Sequence, residues 1–211
     1  MKKSIFYVQK PTVDCIVANI GWQNQNLSLW GIKQGYKEAG DDLIKIVLEE
    51  GEKNNIRVLD TYIFPIMFLY RQSIEVGIKN IYYRAFRKIP DGGHDLDILW
   101  KNLFDDVIVG LLSNEELIKE NNKQKSRLVS FNPKDIDFAR IQSILKEMQK
   151  TDVSSDSKAD VWRYLIDKNG TLYFNKNSYI SYKKLQIAID EVFSVLEYLY
   201  HVVSEVLSTD L

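Results

Sequence analysis

Apolar residues recur at helical spacing over most of the chain. Between Ile32 and about Lys53, Tyr36, Ala39, Leu43, Ile46 and Val47 follow the spacing of one helix face, and Gly51 with Asn54-Asn55 supplies a stop. A second helix is expected from Asp60 or Thr61, either of which can cap it, to about Lys88. Pro65 is tolerated in its first turn, and Pro90-Asp91-Gly92-Gly93 breaks it. Ile63, Ile66, Met67, Leu69, Tyr70, Ile74, Ile78, Ile81 and Tyr82 cover more than a single stripe of this helix. A helix that is apolar on most sides belongs at the centre of a bundle.

A third helix starts around His94 or Asp95, turns Leu96, Leu99, Trp100, Leu103 and Val107 inward, and ends near Gly110. Asn132-Pro133 opens a fourth, with proline at a first helical position and the repeat carried by Ile136, Ala139, Ile141, Ile144, Leu145 and Met148. The last helix, from about Ser181 to Ser208, repeats Leu185, Ile189, Val192, Phe193, Leu196, Leu199, Val203 and Val206. Two patterns are not helical. Val161 to Ile166 and Thr171 to Phe174 flank Asp167-Lys168-Asn169-Gly170, whose Asn-Gly is a hairpin turn signal. Ser4 to Val8 and Cys15 to Ile20 look strand-like and precede a turn-rich stretch.

The expectation is therefore an all-α fold, a bundle of about five to six helices with a small β-hairpin near 161–174 and an extended N-terminal arm. It reads as one domain: an arm over 1–31, core helices over 32–110, a basic and mobile segment over 111–131, and closing helices with the hairpin flap over 132–211.

Composition narrows the class. Of 211 residues, 45% are hydrophobic and 12% aromatic, which argues for a folded core and against disorder. The 28 Lys plus Arg against 29 Asp plus Glu give a net charge of -1, so no global field draws nucleic acid or an anionic membrane. A nucleic-acid site would have to be a local patch, for which Arg84, Arg87 and Lys88, the stretch from Lys119 to Arg127, and Lys183-Lys184 are the candidates. The single cysteine, Cys15, can form no internal disulfide. The start lacks an apolar run of signal-peptide length, and no run approaches the ~20 residues of a membrane span. A cytoplasmic protein with no membrane partner is expected.

Candidate chemistry concentrates on the second helix. Arg71, Glu75 and Lys79 stand at i, i+4 and i+8 on one face, where opposite charges attract. On the most apolar helix that ladder is expected to be partly buried, either as a structural ion-pair network or as a ligand or catalytic site. His94 follows two glycines at a helix start and reads equally as a cap or as an imidazole placed for acid–base work. His201 sits in an apolar repeat and reads as a packing residue. With two separated histidines and one cysteine no metal site is expected, and no phosphate loop or nucleophile elbow occurs, so no cofactor is implied.

At FPIMFLYRQSIEVGIKNI (64–81), GGHDLDILW (92–100) and, more weakly, VWRYLIDKNG (161–170), the sequence resembles bacterial proteins of HEPN type, the higher eukaryotes and prokaryotes nucleotide-binding domains. The likeness covers mainly residues 36–104. It implies a homodimeric helical bundle that is either a metal-independent RNase of toxin, abortive-infection or phage-defence systems, or a non-catalytic module binding nucleotide, RNA or a protein partner. In the RNase reading His94 is the acid or base, Arg71 or Arg87 stabilises phosphorane charge, and Glu75 converges on them. Lys79, Asp95 and Arg163 are the candidate binding residues. Arg87 and His94 approach the family's Arg-to-His spacing, but Pro90, Gly92 and Gly93 between them interrupt the single helix face that the motif uses.

Overall fold

The computed structural model describes residues 16–18, 20, 25–113, 134, 136–152 and 155–207. The chain is mostly helical, with no strand among the described residues. Most of the expected arm and nearly all of the expected basic segment lie outside them.

Helix α1 (Gln25–Glu52) starts earlier than the periodicity suggests, so residues 25–31 are helix and not arm. Gly31 interrupts the propensity there, yet one glycine costs only about 1 kcal/mol inside a helix, and 28 continuous residues carry it. Helix α2 (Ile56–Thr61) is capped by the Asn55 side chain, which accepts from Val58 N. After a break at Tyr62 comes α3 (Ile63–Phe86), with Pro65 in its first turn and Arg87 closing it in a left-handed conformation. What the sequence suggests as one helix start at 60–61 is thus a junction between two helices.

Helix α3 is the centre of the bundle, with Ile66, Ile74 and Ile78 fully enclosed. Helix α1 runs antiparallel to it: Gly40 meets the Tyr70 ring, while Lys33 O, two turns earlier on α1, accepts from Ser73 Oγ. Helix α4 (Leu96–Asn102) is capped by Asp95, whose Oδ1 accepts from Asp97 N and Ile98 N. Asp95 therefore takes the capping role that the glycines suggest for His94. The helix widens into a π-helical segment, Leu103–Leu111. There Tyr82 donates to Asp106 Oδ2 at 2.7 Å, and burial together with that carboxylate pushes the phenol up to about 12.

Helix α5 (Phe138–Gln149) begins later than Asn132-Pro133 indicates, because Asp137 supplies the cap by accepting from Arg140 N. Its residue Phe138 stacks on Trp100 at 5.5 Å. Helix α6 (Val161–Tyr164) replaces the first strand of the expected hairpin. The Asp156 carboxylate accepts from Asp160 N and Val161 N, which starts a helical turn, and Trp162 is buried against Phe64 and Phe174. Of the hairpin only one bridge, Ile166 to Leu172, remains around the Asp167–Gly170 turn. Helix α7 (Tyr182–Leu207) matches its expected span and lies parallel to α3, with Tyr182 donating to Leu59 O at one end and Leu196 facing Gly77 further along. Each fully buried Ile or Leu in this core contributes about 1.5–3 kcal/mol relative to exposure.

Candidate functional site

The ladder on α3 is real, and the inward packing of that helix decides its character. Arg71 is 1% exposed and Glu75 3%. Arg71 Nη1 donates to Glu75 Oε2 at 3.1 Å, and Nη2 donates to His94 O at 2.6 Å and to Asp156 O at 3.0 Å. Arg71 Nε lies 3.2 Å from Asp156 Oδ2 but outside hydrogen-bonding angles, so that contact is electrostatic only. One guanidinium thus ties α3 to the turn before α4 and to the loop before α6.

Glu75 is shared in turn. Its Oε1 accepts from Lys79 Nζ at 2.7 Å and lies 2.9 Å from His94 Nδ1. Burial would raise the Glu75 pKa, but the Lys79 hydrogen bond and charge, followed by His94, outweigh it and hold the carboxyl below its ordinary value. The network reaches solvent only at its far end, where the Lys79 side chain is 17% and the His94 side chain 56% exposed.

The structure therefore brings Arg71, Glu75, Lys79 and His94 together, and Asp95 follows as the α4 cap. It does not bring in Arg87 or Arg163. Arg87 stands exposed beyond the end of α3, separated from His94 by irregular backbone in which Gly92 and Gly93 hold positive φ. Arg163 is engaged within its own loop, donating to Ala159 O and Asp160 Oδ1 and lying over the Tyr164 ring at 5.2 Å. His201 is exposed on α7, its ring edge-on to Tyr200 at 6.2 Å and outside the core.

Next to Asp95 opens a cleft of about 760 Å³, lined by Asp95, Asp97, Lys146, Glu147, Gln149, Lys150 and Ser155. Three carboxylates against two ammonium groups leave it slightly acidic. Its buried floor residue Gln149 is satisfied, accepting from Leu96 N at 2.6 Å and donating to Asp95 Oδ1 at 3.3 Å. Among the described residues no cluster of His, Cys, Asp and Glu fit to hold a metal ion occurs, and no helix is long and apolar enough to cross a membrane.

Sequence reasoning missed Asp156, which lies in a polar loop with no periodic signal. It also missed a second charge network. Lys33 and Lys37 of α1 are 3% and 9% exposed. Lys33 pairs with Glu197 of α7, and Lys37 pairs with Asp41 at 2.7 Å and with Asp190 of α7 at 2.7 Å. Tyr70 donates to Asp41 Oδ1 at 2.8 Å, and burial, reinforced by Asp41, pushes its hydroxyl far above the ordinary phenol range. The available signal was the i, i+4, i+8 spacing of Lys33, Lys37 and Asp41, the same spacing that marks the α3 ladder. No family model, curated protein or solved structure matches the chain.

Proposed function

We propose that this chain is a HEPN-like helical module that dimerises and binds a partner without catalysis, the ladder serving to hold its loops. The observation that supports this reading is the enclosure of Arg71. Its guanidinium is enclosed among Glu75, Asp156 and two carbonyls, and no face of it is open to a phosphate. Charge supports the same reading. Arg71 and Lys79 are balanced by Glu75 and Asp156, and the adjoining cleft is acidic, so the surface around His94 offers a polyanion no net attraction.

A second reading, a metal-independent RNase of a toxin or phage-defence system, is favoured by one observation: His94 presents a half-exposed ring whose Nδ1 rests on a buried carboxylate. That is the arrangement by which a carboxylate orients an acid–base histidine. The deciding experiment is RNA cleavage by purified protein and by His94→Ala, with Arg87→Ala alongside. The binding reading predicts the same background for all three. Cleavage by the wild type that disappears in His94→Ala overturns it and establishes the RNase. Light scattering on the same samples tests the dimer.

A further inference from the structure

The described residues of α1 divide into two halves that are held in different ways. From Ile44 onward its buried positions are apolar, Ile44 and Val47 being fully enclosed. Before Ile44 its buried positions are Lys33, Lys37 and Gly40. One helix face thus runs Lys, Lys, Gly, Ile, Val, and only its second part is an ordinary core face. The lysine stems cover the small residues of α3: a Cβ added at Gly77 would lie 3.4 Å from Lys33 Cδ, and Ser73 Oγ donates to Lys33 O. Their ammonium groups lie near the Phe193 ring, Lys37 at 5.3 Å and Lys33 at 6.0 Å, and end on carboxylates that are not enclosed. The Asp190 side chain is 56% exposed and that of Glu197 38%.

We propose that residues 28–40 form an ionic strap, a half-helix held on α3 and α7 by the Lys33–Glu197 and Lys37–Asp41–Asp190 pairs and able to open while the rest of α1 stays docked. Segments with few buried apolar contacts open at lower free energy than the core, and charge pairs with a half-exposed partner are weakened by salt where apolar contacts are not. Burial alone would lower the Lys37 pKa, yet hydrogen bonds to Asp190 and Asp41 and their charges raise it, so Lys37 stays charged throughout the neutral range. Opening bares Ser73 and Gly77 on α3 and Phe193 on α7, a strip of small and apolar residues that the lysines cover. The strap does not depend on how His94 is read.

Amide hydrogen exchange on the full chain tests it at about 0.1 M and about 1 M NaCl, between which the screening length falls from about 10 Å to about 3 Å. Residues 28–40 are expected to exchange about tenfold faster at the higher salt, while residues 44–50 and the centre of α3 do not change. Equal protection of both halves of α1 at both salts, or a change shared by the whole molecule, overturns the strap. Asp190→Asn with Glu197→Gln should bring the high-salt exchange of 28–40 to low salt, and its failure to do so also overturns it. Lys33→Met with Lys37→Met should keep 28–40 protected and remove the salt dependence. If that variant does not fold, the wild-type salt series and the carboxylate variant still decide.

Discussion

Arg71 meets two carboxylates and two carbonyls from a position with almost no access to water, so its value lies in what it leaves behind when removed. Breaking one partner of a buried ionic network costs about 3–5 kcal/mol, because the remaining charges stay enclosed. Arg71→Met should therefore lower unfolding stability by that order in a denaturant titration, and a loss below about 1 kcal/mol would show that Glu75 and Asp156 find water. Glu75 adds a pH dependence of definite sign. Lys79 and His94 hold its carboxyl below the ordinary value against burial. A depressed folded pKa gives stability that is full above the unfolded value of about 4.3 and is lost as the pH falls through the lower folded one. The wild type should lose stability more steeply than Glu75→Gln between about pH 5 and pH 3, and parallel curves would remove Glu75 from the acid response.

At the scale of elements, helix positions were readable wherever an apolar face repeats, as in α3 and α7. Boundaries were less so, because Asp95, and not the more conspicuous Gly92-Gly93, caps α4, and Asp137 caps α5. The hairpin is replaced for a partly tertiary reason, since the Asp156 carboxylate that accepts from Asp160 N and Val161 N also lies against Arg71 of α3, a partner distant in sequence. Two glycines of α1 separate propensity from packing in the same way. Gly35 has nothing within 4 Å of an added Cβ, so Gly35→Ala should gain up to about 1 kcal/mol from helix propensity. At Gly40 the added Cβ would lie 2.6 Å from the Tyr70 ring, whose hydroxyl is anchored on Asp41. Overpacking costs about 1–3 kcal/mol, which exceeds the propensity gain, so Gly40→Ala should destabilise. Thermal unfolding of the two variants checks both signs, and a stabilised Gly40→Ala would mean that the Tyr70 ring yields.

In the whole molecule, α3 carries two polar networks on different faces, with the apolar Ile74 and Ile78 between them. One face gathers Arg71, Glu75 and Lys79 against the loops of α4 and α6, and the other meets α1 and α7 through Tyr70, Ser73 and Gly77. The first was legible because its members stand four residues apart on one helix. The second was legible only in its α1 half, Lys33, Lys37 and Asp41, because the fold alone joins those residues to Asp190 and Glu197 of α7. The networks share no hydrogen bond or ion pair among the described residues, which makes their independence testable. Glu75→Gln and Lys37→Met perturb one network each without a large change of volume. Sites without common partners add within about 0.5 kcal/mol, so the double variant should lose the sum of the two single losses. A coupling above about 1 kcal/mol would instead mean that α3 shifts as a body and transmits strain between its faces, tying the strap on α1 to the turn that holds His94.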